Sequence, residues 1–551
     1  MSLNPSLSLS LADSDKETET EALIPCRRDF HFLPHQETGV RWMKARECDA
    51  AVVGVGVGAG AVCCGGILAD DMGLGKTCQT IGLLKNSAKA RSTLIVCPVA
   101  LLDAWRDELK ACGFQVSVLV QSSPVWSVPL KEGEKGVGVV FLTTYPKLVM
   151  YYKSIAAMKF QRIVLDEGHV IRNKNSARFA AALLICTTTT ARWILSATPI
   201  QNGVQDWKHL CEWLNCDPET DSSDILLRRT MAELRHVIAG LPPAPVFVDH
   251  DLIIPHISHI SHKSDNSDNS EKCEKSNELA LLESIVRRFH AEENETIQLV
   301  LMMRIQQFFI HPQIYYDSLR LKQDKKLKKL SKSMKALKND DTLTGIKETD
   351  KSVQYSGTAT KWEEFTRVLC DSDEPTIVFC NFQFEIRRVA ALAAEKGFEV
   401  FVIQGGTRNI GSIVDNARAS SLSSLSSLSS QSEKPKPVLV IVQIVVGGAG
   451  LNLQFCSRIL FLSRHWNPAV VHQAVGRAVR FGQEKVVAVH FFRIVNDFPD
   501  LDIHNIDTHM SAVHRDKIQG AVQVVDSLYE GFHLQHDSIT EEEEEDSETE
   551  E

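Results

Sequence analysis

The segment ILADDMGLGKT, residues 67–77, carries the residue types of a phosphate-binding loop. Gly73 and Gly75 allow the tight backbone turn that directs peptide N–H groups toward phosphate oxygens. Lys76 is placed to reach the β- and γ-phosphates, and the Thr77 hydroxyl is placed to ligate Mg²⁺. The segment therefore predicts binding of ATP and Mg²⁺, and it makes the chain a candidate nucleotide hydrolase.

Two other loop residues, Asp70 and Leu74, belong to the predicted nucleotide contact. The strict G-x-x-x-x-G-K-[ST] pattern has glycine at the position of Asp70, so the segment departs from that pattern at one residue. Taken alone, the loop is also compatible with a Gly-rich turn that precedes a Lys-Thr pair by chance. A second motif is needed to decide between the two interpretations.

That second motif is RIVLDEGH, residues 162–169, in which an apolar run ends in two adjacent carboxylates. The run Arg162–Leu165 suits a buried parallel strand. Asp166 can hold Mg²⁺ through water, and Glu167 can orient and deprotonate the attacking water. A surface acidic turn is the alternative for these residues alone. The strand before them and the phosphate loop upstream favour the catalytic interpretation.

The elements that would position these motifs form an alternating pattern from Phe30 to about Gly240, in which short apolar strands alternate with amphipathic helices. Such alternation predicts a parallel α/β sheet. The predicted strands are Thr93–Cys97, Gly138–Leu142, Arg162–Leu165 and Arg192–Leu195, and the predicted helices include Leu101–Cys112 and Gly203–Leu214.

A second α/β block starts near Ser356 and has no phosphate loop of its own. Its predicted strands are Thr376–Cys380, Phe398–Ile403, Pro437–Gln443, Arg458–Leu462 and Val486–Arg493. Two similar sheets with a single loop suggest that the nucleotide lies between them.

Composition along the chain suggests six segments. They are a disordered N-terminus (1–24), an ATP-binding lobe (25–240), a linker with a helical insertion (241–355), a second lobe (356–500) with a disordered insertion (420–437), a C-terminal helical extension (501–535) and an acidic tail (536–551). The linker contains a His-rich polar run, interpreted as a loop, and a basic stretch, Arg320–Lys338. That stretch is either a solvated surface or a contact to the DNA backbone.

Overall composition is that of a soluble globular protein, with 44% hydrophobic and 24% charged residues among 551. The net charge of −10 reflects the tail, because nine of the last eleven residues are acidic. The rest of the chain is close to neutral and can still carry a basic groove. Fourteen cysteines without zinc-binding spacing fit a reducing compartment, the cytosol or nucleus.

A membrane segment is not expected. Residues Ala50–Ala69 are uncharged and long enough to span a bilayer, but they contain six glycines and lead directly into the phosphate loop. They are interpreted as a loop followed by the first core strand. The N-terminus is Ser-rich and then acidic, without the pattern of a secretory signal.

Seven motifs in order extend the interpretation beyond nucleotide hydrolysis. They are LPHQETGVRWM (33–43), ILADDMGLGKT (67–77), TLIVCPVALLDAWRDEL (93–109), DEGHVIRN (166–173), LSATPIQN (195–202), GGAGLNL (447–453) and HWNPAVVHQAVGRAVRFGQ (465–483). Together they resemble the Swi/Snf family of helicase-like DNA translocases within helicase superfamily two. The sequences around the phosphate loop and the carboxylates are more similar to those of its DNA-repair branch. Members of that branch often carry a RING finger, and the Cys/His spacing of a RING finger is not seen here.

The resemblance implies two tandem RecA-like lobes, each with a parallel sheet, and ATP in the cleft between them. By analogy Gln36 reads the adenine, and Gly448 and Gln473 contribute nucleotide contacts from the second lobe. Spacings of four and three residues place Gln473, Arg477 and Arg480 on one face if that segment is helical. The two arginines then resemble arginine fingers that stabilise charge on the transferring phosphoryl group.

Two further roles follow from the resemblance. The segment Ser196–Thr198 would couple hydrolysis to lobe movement. Gly168 stands where the family usually has alanine between the carboxylates and His169, and because the residue stays small, activity is expected to survive.

The leading hypothesis is an ATP-dependent translocase on double-stranded DNA that remodels chromatin, repair or other protein–DNA structures in the nucleus. Nucleosomes and repair or transcription complexes are the candidate partners, and no membrane is involved. A strand-separating helicase on DNA or RNA shares the same core and is one alternative. A catalytically silent DNA-binding scaffold is another, which the intact Lys76, Glu167 and Arg480 disfavour.

Overall fold

The computed structural model describes residues 22–27, 30–52, 64–87, 92–119, 139–187, 190–219, 222–253, 282, 285–287, 295–317, 359–426, 436–447, 450–495 and 506–522. These residues form two parallel β-sheets flanked by helices, and each sheet is the core of one lobe. The α/β class expected from the alternating pattern is confirmed.

The first sheet has seven strands in the order β3-β4-β2-β5-β6-β1-β7, all in parallel pairs. They are β1 Gly65–Leu68, β2 Thr93–Cys97, β3 Gln115–Val118, β4 Val139–Thr144, β5 Arg162–Asp166, β6 Ala191–Leu195 and β7 Leu226–Leu227. The central strands are buried along their whole length, because helices cover both faces of the sheet.

Three helices pack on each face of this sheet. One face carries α1 Pro34–Val52, α2 Lys76–Asn86 and α3 Leu102–Ala111. The other carries α4 Tyr145–Ala156, α5 Ala177–Leu184 and α6 Val204–Leu214. Two short helices follow, α7 Ser222–Ile225 and α8 Met231–Leu234.

The second sheet has six strands in the order β10-β11-β9-β12-β13-β8, again all parallel. They are β8 Val246–Leu252, β9 Thr376–Cys380, β10 Glu399–Ile403, β11 Val438–Gln443, β12 Arg458–Phe461 and β13 Ala488–Ile494. The accompanying helices are α9 Glu295–Ile310, α10 Thr360–Cys370, α11 Gln383–Glu395, α12 Ile410–Ser426, α13 Ile444–Gly447, α14 Pro468–Val475 and α15 Ile506–Val522.

Strand β8 lies in the segment 241–355 that was expected to be linker and helix. It pairs with β13 along seven residues and forms the edge of the second sheet. Its polar residues have specific partners: Asp249 and Asp251 pair with Arg493, and His250 lies 3.0 Å from His490. Only the first half of the strand is apolar, and the polar second half hides the run that identifies a strand in sequence.

Helix α12 differs from the expectation of a disordered insertion at 420–437, because residues 420–426 are its last two turns. The preceding turns pack on the sheet through Val414 and Ala417, and serine is only a moderately poor helix former. The helix therefore continues into the Ser-rich stretch. Residues 427–435 of the insertion lie outside the described residues, as do 1–21, the His-rich run, the basic stretch and the acidic tail.

Ala50–Ala69 is the segment that resembled a membrane span. Its beginning belongs to α1 and its end contains β1, while residues 53–63 lie outside the described ranges. Within the part of the chain that the structure describes, none of the helices combines the length and apolar character needed to cross a bilayer.

Candidate active site

The phosphate-binding loop lies between the end of β1 and the start of α2. Gly73 and Gly75 have φ values of 90° and 84°, a left-handed conformation that residues with a β-carbon rarely adopt. Gly75 directly precedes α2, which begins with Lys76 and Thr77. A Gly-rich turn next to a helix N-terminus is an arrangement that binds phosphate.

The Lys76 ammonium lies over this loop among acidic groups. Its Nζ donates to the backbone oxygens of Asp70 at 2.5 Å and Asp71 at 3.1 Å. Burial lowers the pKa of Lys76, and the charges of Glu167 and other nearby carboxylates act in the opposite direction. A phosphate entering the loop would give this ammonium a charged partner in place of peptide oxygens.

Two arginines hold the loop from behind, and the sequence analysis missed both. Arg229 forms a bidentate ion pair with the fully buried Asp70, with contacts of 2.9 and 2.5 Å. Arg228 donates to Asp71 at 2.9 Å and to the backbone oxygen of Ala69 at 2.8 Å. The carboxylate of Asp70, expected at the nucleotide, is therefore engaged inside the protein and anchors the loop.

Gln36 lies directly against the loop, at the start of α1. Its Nε2 donates to the backbone oxygen of Leu74 at 3.3 Å, and its Oε1 accepts from the backbone N–H of Leu33 at 3.1 Å. His35 Nε2 lies 2.9 Å from the same Leu74 oxygen. The predicted adenine contact is thus placed beside the loop, with its amide held by local hydrogen bonds.

Asp166 ends strand β5 and is buried beneath the loop. Trp105 Nε1 donates to its Oδ2 at 2.7 Å, and the Tyr145 hydroxyl donates to its backbone oxygen at 2.8 Å. Burial and the neighbouring Glu167 raise the pKa of Asp166. A cation beside this carboxylate would favour its charged form. The fixed orientation and the oxygen donor suit Mg²⁺.

Glu167 adopts a left-handed backbone conformation, with φ of 50°, which non-glycine residues rarely take up. Its Oε2 lies 3.3 Å from His169 Nδ1. Burial acts to raise the pKa of Glu167, but His169, Lys76 and Arg477 together lower it below the usual value. The side chain is therefore charged and able to accept a proton.

Gly168 follows the two carboxylates at a position that leaves little room for a side chain. A β-carbon there would lie 2.7 Å from Ile194 Cγ2. We expect Gly168→Ala to destabilise the first lobe by about 1–3 kcal/mol, the range for overpacking. Ile194→Leu, which removes the offending γ-methyl, should restore part of the loss, whereas Ile194→Val, which keeps it, should not.

Thermal unfolding midpoints of these variants check the prediction. Gly411→Ala is the matched control, because a β-carbon at Gly411 meets open space. A Gly168→Ala protein that melts at the wild-type temperature would show that the position has room for the alanine usual in the family.

The second lobe faces the loop through the turns that follow α14. A β-carbon on Gly73 would lie 3.6 Å from Arg480 Cα, and one on Gly476 would lie 3.0 Å from Met72 Sδ. Arg480 donates through Nη1 to the Leu451 backbone oxygen at 3.0 Å. The phosphate loop and the arginine segment are therefore in direct contact.

Arg477 is 2% exposed and interacts electrostatically with Glu167 and Asp166. Burial and the charge of Arg480 lower its pKa to about 10, so it is protonated at neutral pH. The expected continuous helix is wrong here, because α14 ends at Val475. Short i→i+3 bonds at Arg477 and Ala478 carry the chain onward. Gln473 is buried on α14, and Gly448 lies outside the described residues.

A hydrogen-bonded path runs to the second lobe from His169, which lies 3.3 Å from the Glu167 carboxylate. His169 Nδ1 lies 3.0 Å from Ser196 Oγ, which accepts the Thr198 backbone N–H at 3.2 Å. Gln201 Nε2 reaches Thr198 Oγ1 at 3.5 Å, and Asn467 Nδ2 of the second lobe donates to Gln201 Oε1 at 2.8 Å. A change at Glu167 thus has a physical route to the lobe interface.

Comparison with known proteins identifies the family. The sequence profile described as the SNF2-related domain matches residues 35–354, more than half of the chain. The chain belongs to the SNF2-related family. A second profile, the helicase conserved C-terminal domain, matches residues 360–482. The resemblance drawn from the seven motifs is confirmed, and the chain is an SNF2-related, helicase-like ATPase.

The relatives of this SNF2-related chain differ in sequence identity and in the fraction of each chain that aligns. It is 24% identical over 522 residues to the "Probable global transactivator" of Orgyia pseudotsugata multicapsid polyhedrosis virus, covering 91% of this chain and 93% of the viral protein. It is 32% identical over 181 residues to "DNA repair protein RAD5" of Yarrowia lipolytica, covering 28% and 17%. The solved "Sulfolobus solfataricus SWI2/SNF2 ATPase core in complex with dsDNA" aligns over 86% of this chain and 90% of that chain, with 20% identity and a TM-score of 0.35.

Proposed function

We propose that this SNF2-related chain is a translocase on double-stranded DNA that uses ATP hydrolysis to remodel protein–DNA or repair structures. The observation that carries the proposal is the direct contact between the phosphate loop of the first lobe and the arginine segment of the second. A site shared by two lobes links nucleotide state to lobe movement, which a translocation cycle requires.

In this mechanism Lys76 and the loop N–H groups bind the ATP phosphates. Thr77 and Asp166 would hold Mg²⁺, which neutralises phosphate charge when bound. Glu167 orients the attacking water and accepts its proton, because its lowered pKa keeps the side chain in the charged carboxylate form. The bond to Trp105 keeps Asp166 in place during this step.

The second lobe completes the site in the proposed cycle. Arg477 is protonated and already interacts with Glu167 and Asp166, so closure brings positive charge to the reacting phosphoryl group. After hydrolysis the charge near Glu167 changes, and the path through His169 and Gln201 transmits that change to Asn467. The lobes then shift relative to each other along the DNA backbone.

Duplex DNA in the nucleus is the proposed setting, with nucleosomes and repair or transcription complexes as candidate cargo. Membership in the SNF2-related family supports DNA as the polymer, as does the name of the RAD5 relative, a DNA repair protein. Tracking by phosphate contacts needs no base recognition.

Steady-state ATP turnover tests this proposal. We expect the rate of ATP hydrolysis to rise strongly when duplex DNA is added. In separate strand-displacement assays, the protein should displace a third strand from a triplex and should not unwind a tailed duplex. The matched control is Glu167→Gln, which should show none of the stimulated turnover. Stimulation by RNA alone, or efficient unwinding, would instead favour a strand-separating helicase. No turnover with any polymer would favour a silent scaffold.

A further inference from the structure

Two thiols meet behind the phosphate loop, and the mechanism above uses neither. Cys26 Sγ and Cys78 Sγ are 3.7 Å apart, and Cys26 Sγ also lies 3.4 Å from the Cys78 backbone oxygen. Cys78 directly follows Thr77 in the first turn of α2. This thiol pair therefore lies one residue from the proposed phosphate and metal contacts.

Cys26 belongs to a short irregular segment that lies against α2. Asn86, the last residue of that helix, exchanges two hydrogen bonds with the backbone of Ile24, at 2.7 and 2.9 Å. Lys85 Nζ donates to the Cys26 backbone oxygen at 2.6 Å. The segment is thus fixed at the C-terminal end of α2, and the thiol pair is its contact with the N-terminal end.

Cys78 also lies against Gln36, the residue proposed to bind the adenine. Its Sγ is 3.9 Å from Gln36 Oε1. The sulfurs of a disulfide are about 2.0 Å apart. Forming the bond therefore brings the two sulfurs about 1.7 Å closer together, and the Cys78 sulfur that takes part lies against Gln36 in the first turn of α2. A change at this pair reaches both ends of the nucleotide site.

We propose that peroxide oxidises Cys26 and Cys78 to a disulfide that weakens ATP binding at the phosphate loop. The effect on ATP rests on the proposed function, whereas formation of the disulfide does not. Cytosolic and nuclear disulfides are typically transient and redox-sensing, so the reducing compartment expected from the cysteine content is compatible with this role.

The chemistry balances with hydrogen peroxide as the oxidant. The Cys26 thiolate attacks one peroxide oxygen, forming an S–O bond and breaking the O–O bond, and the released hydroxide takes a proton to become water. The Cys78 sulfur then attacks the Cys26 sulfur, forming the S–S bond and breaking the S–O bond, and the expelled hydroxide takes the Cys78 thiol proton to become the second water. Two thiols lose two electrons, and peroxide becomes two waters.

The environment of Cys26 suits the first step. The hydrogen bond from Cys78 and the nearby ammonium of Lys85 lower the pKa of Cys26 against the opposing effect of burial. Cys26 itself is buried, and a small oxidant reaches it past the partly exposed Cys78 beside it. Cys112 is a third, buried thiol close to both.

The test treats the full chain with hydrogen peroxide, alkylates the remaining thiols and digests with trypsin. The expected product joins the peptide Glu17–Arg27 to the peptide Thr77–Lys85, each of which contains one cysteine. Affinity for a fluorescent ATP analogue should fall about fivefold or more, and dithiothreitol should restore it. When the disulfide is instead set at equilibrium with a buffer of reduced and oxidised dithiothreitol, saturating ATP should shift it toward the dithiol by the same factor, because coupling between two equilibria is reciprocal.

Cys26→Ser, with Cys26→Ala as a second variant, should make ATP affinity insensitive to peroxide, whereas Cys112→Ser and Cys370→Ser should behave like wild type. Oxidation of the exposed Cys370 without the expected cross-link would overturn the proposal. So would a cross-link that leaves affinity unchanged, or a loss of affinity that persists in Cys26→Ser. If the reduced protein does not bind ATP, the proposed function fails, and the cross-linked peptide still decides whether the disulfide forms.

Discussion

Glu167→Gln is expected to keep ATP bound while turnover falls by about 10²–10⁴-fold, the contribution typical of a positioned general base. Glutamine keeps the shape of the side chain and loses both its charge and its basicity. The wild-type carboxylate is charged, because His169, Lys76 and Arg477 together hold its pKa below the usual value. Loss of that charge leaves the attacking water without a proton acceptor.

The measurement is equilibrium affinity for ATP together with single-turnover hydrolysis. Glu395→Gln is the matched control, since that carboxylate is exposed on the second lobe. Hydrolysis at the wild-type rate in Glu167→Gln would assign the base to another residue.

Arg480→Ala is expected to leave ATP and DNA affinity nearly intact and to abolish the DNA-stimulated part of hydrolysis. An arginine supplied to the transferring phosphoryl group contributes about 10³-fold or more in rate. Arg480 is held by the Leu451 backbone oxygen and lies against Gly73, so it can reach the phosphates once the lobes close. Its charge then acts mainly in the transition state. Arg367→Ala, on an exposed face of the same lobe, is the control.

The core strands could be predicted because each is a short apolar run covered by helices on both faces. Strands β2 and β9 begin and end at the predicted residues, Thr93–Cys97 and Thr376–Cys380. Strand β8 could not be predicted in this way, because it is only half-buried and carries polar residues, and its partner β13 lies far away in the sequence. The spacing of apolar residues indicates which positions are buried, but it does not indicate which distant residues pair with them.

In the candidate site, too, local motifs could be predicted and contacts between distant segments could not. The loop and the two carboxylates are contiguous motifs and were predicted as such, although their roles remain proposals. The groups that orient them come from distant segments: Arg229 on Asp70, and Trp105 on Asp166. The one available signal for the first was an arginine pair directly after an apolar strand, LLRRT. The one-face arrangement of Gln473, Arg477 and Arg480 required a helix through Arg480, but the helix ends at Val475 and turns follow it.

The central claim is that one ATP site is built by two lobes, and Arg480→Ala tests it most directly. Nucleotide affinity and turnover of this variant are measured side by side, with and without duplex DNA. The expected result is ATP affinity close to that of wild type and turnover with duplex that does not exceed the rate without it. Hydrolysis at the normal DNA-stimulated rate would contradict the claim, because the second lobe would then contribute no essential charge to the reaction.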